Sequence, residues 1–332
     1  MKKIISFFGE NSPIFDELNK RAAVYAEQAG LEYIWAPQTP FIQEDVILHL
    51  KSADAGIIDI QTYDESIFKE ITGRTKMLVR FGVGYDKVNL VDASKYHIAI
   101  ARTTGANASG VAEMAITLLL ASRRQLFETS KCVYTGKWQK IIADETLNTA
   151  TIGIVGFGLI GQKVAGFMRA LGCQVLAYDP FADEEVAGEQ GVELTEIKDL
   201  FSRADAISVH AAYSKETHHL VNETMLNLMK PTAVIVNTAR GAIIDEEALY
   251  EALAARRIRA AGLDVYSIEP LPLESRLLQL DNVILTPHLS SQTTESLWNT
   301  YIMAIDIAAD FFNGKMSPHI LNPDFSAGSQ PR

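Results

Sequence analysis

Cysteine is scarce in this chain of 332 residues. Cys132 and Cys173 show no CxxC or other metal-ligating spacing, so they read as two reduced, packed thiols and no metal site is expected. Basic charge is also short. Against 41 Asp and Glu there are 30 Lys and Arg, a net charge of −11. A phosphate-backbone binder needs a concentrated basic face, so a nucleic-acid partner is excluded. No apolar run approaches the roughly 18 residues of a membrane span, which removes the membrane as a partner. The opening Met1-Lys2-Lys3 leads only to the short run Ile4 to Phe8 and then Glu10, too little for a signal peptide. The expected location is the cytoplasm. No internal repeat or low-complexity tract occurs, and Pro323 to Arg332 reads as a loosely ordered tail.

What is present is a globular composition, 48% hydrophobic and 21% charged, over a length suited to about two domains. Apolar strand-like runs alternate with helix-like segments throughout, the pattern of parallel α/β layers. One set comprises Ile4 to Phe8, Glu32 to Trp35, Gly56 to Ile60, Met77 to Phe81 and Ile98 to Ala101. The other comprises Ile152 to Val155, Cys173 to Tyr178, Ala206 to His210, Ala233 to Asn237, Ala260 to Asp264 and Val283 to Thr286. Between them Ser109 to Leu126 predicts a long buried helix with Ser109 as its N-cap. The amphipathic stretch Glu295 to Phe312 packs most economically back on the first set. That makes the first domain discontinuous, residues 1–102 with 292–332, around a second domain of residues 103–291.

The run Ile152 to Val155 is followed by Gly156, Phe157, Gly158, Leu159, Ile160 and Gly161, then by Gln162 to Leu171, which suits a helix. This GxGxxG pattern between strand and helix is a dinucleotide clamp. Gly156 permits the bend, Gly158 clears the backbone for a pyrophosphate, and Gly161 lets helix and strand close. The helix N-terminus then meets an anion with its unsatisfied N–H groups and dipole. Asp179 stands at the end of the next strand, 23 positions after Gly156. A carboxylate there accepts both ribose hydroxyls and repels a 2′-phosphate, so the expected cofactor is NAD.

Three polar residues close later strand-like runs: Arg240 in Asn237-Thr238-Ala239-Arg240-Gly241, Glu269 before Pro270, and His288 after Thr286-Pro287. Each alone has an ordinary structural explanation. Together, behind a dinucleotide motif, they supply a cation to polarise a carbonyl oxygen, a proton donor, and a carboxylate to tune that donor. A histidine titrates near about pH 6.5, and an acidic neighbour favours the imidazolium.

Taken in order, Arg80 to Asp86, Asn107 to Glu113, the glycine motif, Val236 to Gly241, Gly262 to Val265 with Glu269-Pro270, and Thr286-Pro287-His288 resemble the D-isomer-specific 2-hydroxyacid dehydrogenase family. That family includes phosphoglycerate dehydrogenases and glyoxylate/hydroxypyruvate reductases. The resemblance implies an α/β fold of two doubly wound parallel-sheet domains, a Rossmann NAD domain inserted into a flavodoxin-like substrate domain. It implies that Arg240 binds the substrate carboxylate and keto oxygen, that His288 is the acid/base, and that Glu269 bonds the imidazole. His210, Thr238, Asp264 and Ser290 match family positions near the cofactor; Val83 and Gly84 match a loop that offers N–H groups to the substrate carboxylate. Arg80 reaches the substrate in some relatives, with pairing to Asp86 as the alternative. The implied reaction interconverts a small 2-keto acid and its D-2-hydroxy acid. The implied partner is a second copy, met through the Ser109 helix and Val133 to Trp138. Two alternatives remain on the same fold: an NAD(H)-sensing, corepressor-like binding protein, and a D-3-phosphoglycerate dehydrogenase. For the second, the loop Gln61-Thr62-Tyr63-Asp64 lacks the basic side chain a phosphorylated substrate wants.

Overall fold

A computed structural model describes residues 1–138 and 146–326. The chain divides into two compact units, Met1–Asn107 with Thr293–Arg332, and Ala108–Gln292. The first holds a five-stranded parallel sheet of β1 (Lys2–Ser6), β2 (Leu31–Trp35), β3 (Ala55–Ile58), β4 (Met77–Arg80) and β5 (Ala99–Arg102), ordered β2-β1-β3-β4-β5. Every residue of β3 and β4 is buried, as expected of parallel strands covered on both faces. Thr293 caps the helix Thr294–Phe312, accepting from Ser296 N–H at 3.1 Å. Leu297, Tyr301, Ala304, Ile305 and Ala308 form its buried stripe, against Phe8, Phe81 and the strands. Phe8 and Phe81 stack with ring centroids 3.7 Å apart, and Tyr301 meets Phe81 edge-on at 4.8 Å.

The second unit holds seven strands: β6 (Thr151–Val155), β7 (Gln174–Tyr178), β8 (Glu193–Leu194), β9 (Ala206–Val209), β10 (Val234–Asn237), β11 (Ala260–Leu263) and β12 (Val283–Leu285). Their order is β12-β11-β10-β9-β6-β7-β8, all parallel. The chain runs outward from β6 to β8, then crosses back to β9 on the other side of β6. This reversal opens a crevice at the carboxyl ends of β6 and β9, where open α/β sheets bind ligands.

Both sheets bear out the doubly wound parallel reading, with four local corrections. The long helix is Ala108–Arg123, so Ser109 lies inside its first turn and is no cap. It stops short of Leu126 because Gln125 is left-handed, φ 48°, and a separate helix Leu126–Tyr134 follows. The glycine-motif helix is Leu159–Ala170, beginning three residues before Gln162. The tail also carries a helical turn, Pro323–Ser326, while residues 327–332 lie outside the described part. That turn follows Asn322, whose Oδ1 accepts from Ile100 N–H at 2.7 Å.

Candidate active site

The three motif glycines have three separate reasons. Gly156 has φ +96°, and an added Cβ would stand 2.5 Å from Ala211 N, so its turn lies against the backbone that leaves β9. At Gly161 a Cβ would fall 2.1 Å from Gly156 O, which forces helix against strand. Nothing lies within 4 Å of a Cβ at Gly158. The protein's own packing does not require that glycine, and the open space suits close approach of a ligand to the N-terminus of Leu159–Ala170, where Leu159 and Ile160 present first-turn N–H groups.

Phe157 faces the other way. Its ring is buried in the core, and its N–H donates to Asp179 Oδ2 at 2.8 Å. Phe181 N–H donates to Asp179 Oδ1 at 2.9 Å, so the ribose-binding candidate is held by two backbone donors and keeps further lone pairs. Phe157 thus orients the acid through its own amide.

Beside this crevice, His210 follows β9 and Thr238 follows β10. His210 Nε2 bonds Ser208 Oγ at 2.8 Å, while Nδ1 is buried without a protein partner, as is Thr238 Oγ1. Burial pushes the His210 imidazole down to about 3, so the ring is neutral. Two orphaned polar atoms on adjacent strands, an open glycine and a free helix N-terminus fit a dinucleotide.

The three chemistry-bearing side chains follow β10, β11 and β12. Asn237 fixes the first turn: its Oδ1 accepts from Ala239 N–H at 3.0 Å and its Nδ2 donates to Arg240 O at 2.8 Å. Gly241 then lets two loops touch, since a Cβ there would lie 1.9 Å from Tyr266 C. Tyr266 N–H donates to Glu269 Oε1 at 3.0 Å, and Tyr266 OH donates to Thr286 O at 2.9 Å, tying the β11 loop to the end of β12. His288 Nδ1 sits 2.8 Å from Glu269 Oε2. For Glu269, burial favours the neutral acid, but the bonds from His288 and Tyr266 N–H, with the charges of His288 and Arg240, outweigh it and hold the carboxyl below the usual carboxylate range.

His288 stands at φ 54°, an unusual conformation for a residue with a side chain. The buried Asp264 carboxylate supports it. Oδ1 accepts from Thr286 Oγ1 at 2.5 Å and Leu289 N–H at 2.9 Å; Oδ2 accepts from Ser290 N–H at 2.8 Å and from Ser290 Oγ. Asp264 and Ser290 therefore spend these side-chain bonds on each other and on the His288 turn.

Arg80, Val83 and Gly84 belong to the first unit. Arg80 ends β4, buried, with Nη1 3.8 Å from Asp59 Oδ1. Gly82 N–H is spent on Thr103 Oγ1 at 2.7 Å, so the donors this loop can offer an anion are Val83 and Gly84 N–H. Arg102 Nη1 holds the loop through Val83 O at 3.3 Å. The sequence reading missed Asp59, Asn237, Thr103 and Tyr266. Only Asn237 left a signal, an Asx-type turn three residues before Arg240.

Residues 116–290 match the model of the D-isomer specific 2-hydroxyacid dehydrogenase NAD-binding domain. The chain is 33% identical over 298 residues to a glyoxylate reductase of Korarchaeum cryptofilum, covering 88% of this chain and 89% of that one. It is 36% identical to a D-3-phosphoglycerate dehydrogenase of Archaeoglobus fulgidus over 89% of this chain but only 56% of the relative. Among solved structures, the D-lactate dehydrogenase of Aquifex aeolicus complexed with NAD and lactic acid is 26% identical, with a TM-score of 0.79 over 96% of this chain and 99% of that one. The family match over residues 116–290 and the glyoxylate reductase relative together show that the chain belongs to the NAD-dependent, D-isomer specific 2-hydroxyacid dehydrogenases.

Proposed function

We propose that the protein reduces a small 2-keto acid to its D-2-hydroxy acid with Arg240, Glu269 and His288 as the catalytic residues. The supporting observation is the His288–Glu269 contact of 2.8 Å on adjacent strand ends of the NAD-binding sheet, with Arg240 on the next strand. NAD, held by Gly158, the first-turn N–H groups of Leu159 and Ile160, Asp179, His210 and Thr238, supplies or accepts the hydride. With Nδ1 given to Glu269, Nε2 of His288 is the nitrogen left to donate a proton to the carbonyl oxygen as it gains electrons, and to remove it in the reverse direction. Glu269 stabilises the charged ring and keeps it aimed. Arg240 holds the substrate carboxylate and keto oxygen with its planar fork, lowering the energy of the developing oxyanion. Val83 and Gly84 N–H, with Arg80, are proposed as further substrate contacts.

A homodimer is proposed through the helix Leu126–Tyr134. It buries none of its residues, and Tyr134 and Trp138 are 89% and 88% exposed. A cytoplasmic location is proposed as well, in keeping with Cys132 and Cys173 standing outside any disulfide. The test of function mixes purified protein with NADH and glyoxylate, hydroxypyruvate, pyruvate and longer 2-keto acids, following the loss of NADH absorbance. Turnover of at least one acid is expected. Bound NADH with silence across the panel would overturn the enzymatic reading in favour of sensing.

A further inference from the structure

Tyr266 leaves β11, the strand between β10 and β12, and its ring joins the apolar core of the second unit. A phenylalanine would fill the same core space, and a hydroxyl taken out of water costs stability unless it is bonded. This one is bonded to the framework of the His288 turn. It donates to Thr286 O at 2.9 Å, and His288 N–H donates to that same carbonyl at 3.0 Å, closing the turn over Pro287. Leu263 O, at the end of β11, lies 3.2 Å from the hydroxyl as a second acceptor. Burial, with the Asp264 charge, pushes the phenol well above its ordinary value despite the Thr286 bond, so its proton is present wherever reduction is measured near neutrality. At the backbone of the same residue, the N–H donates to Glu269 Oε1 at 3.0 Å.

We propose that the Tyr266 hydroxyl is a positioning group for the reaction: it grips the carbonyl that closes the His288 turn while the Tyr266 amide grips Glu269, so one residue sets the alignment of imidazole and carboxylate. The inference rests on the reading of His288 and Glu269 as the acid–base pair, and Tyr266 acts through those two residues. The lever is short, because Thr286 stands two positions before His288. A misplacement of about 1 Å at a reacting group can cost about a hundredfold in rate, so a smaller loosening of this turn is expected to show in turnover.

Tyr266→Phe keeps the ring in the core and removes the hydroxyl alone. With NADH and the keto acid that the wild type reduces fastest, it is expected to lower kcat by about fivefold to tenfold, while KM for NADH stays within about twofold. In a Glu269→Gln background the same change is expected to cost about twofold or less, because the pair it aligns is already broken; a merely structural loss would be equal in both backgrounds. A spectroscopic reading needs no turnover. The downfield imidazole N–H proton resonance of His288, identified by its disappearance in His288→Asn, is expected in the wild type and is expected to shift or broaden in Tyr266→Phe. Wild-type kcat in Tyr266→Phe, an equal loss in both backgrounds, or a resonance that is missing from the wild type or unchanged in the folded variant overturns the assignment. If no keto acid is reduced, the proposed function falls, and the resonance alone decides the role of Tyr266.

Discussion

Nδ1 of His288 rests 2.8 Å from Oε2 of Glu269 although the residues lie 19 positions apart and leave different strands. The pairing of β11 with β12 and the Tyr266 bonds at both ends create that contact, and the acid–base behaviour follows from it.

His288→Asn should lower kcat for keto-acid reduction by about a hundredfold to ten-thousandfold with NADH affinity retained. Glu269→Gln should also lower kcat, by about tenfold or more, with NADH affinity retained. Glu269 is held below the ordinary carboxylate range, so it is an anion wherever reduction is measured near neutrality. Removing that anion takes away the acceptor that aims the His288 ring, and a folded glutamine variant with wild-type kcat would contradict this.

Acid stability should carry the signature of His210. Its folded value lies at about 3, below the unfolded value of about 6.5, so the unfolded chain takes up a proton that the folded chain refuses. Stability from this group is complete above about pH 6.5 and declines by roughly 1.4 kcal/mol per pH unit as pH falls toward the folded value. Urea unfolding of wild type and His210→Gln across this range measures it: the variant's curve should be flatter by that slope.

Cofactor choice should turn on Asp179. Its two backbone donors fix the carboxylate where a 2′-phosphate would be repelled. Asp179→Ala should reduce the preference for NADH over NADPH, as the ratio of their kcat/KM values, by about tenfold or more. An unchanged ratio would place the discrimination elsewhere.

Gly241→Ala should cost about 3 kcal/mol or more of stability, because the new methyl would fall 1.9 Å from the Tyr266 backbone and separate the loops that bear Arg240 and Glu269. Gly166→Ala, where an added Cβ meets nothing within 4 Å, is the matched control and should be neutral or slightly stabilising. Thermal unfolding of the pair gives the comparison.

Much of this molecule was legible because buried parallel strands are written as apolar runs, and each of the eleven runs read from the sequence contains or overlaps a strand. The twelfth, β8, has only Glu193 and Leu194 and carries no pattern to read. The break at Gln125 was hidden for a different reason: its left-handed backbone belongs to a residue that gives no glycine-like warning. At the site, residue types at strand ends pointed to Arg240, Glu269 and His288. The partnerships that orient them were not legible. Asp59 meets Arg80, and Asp264 meets Ser290, only through strand pairing, and no spacing along the chain encodes which acid faces outward and which turns in.

Asp264 never needs to meet a substrate to matter to the reaction. Because one interior carboxylate ties together Thr286, Leu289 and Ser290 around His288, the proposed proton donor inherits the rigidity of the sheet's interior while standing at its rim. Solvent and passing ligands can jostle the rim without displacing the donor, since the anchor lies a layer beneath their reach.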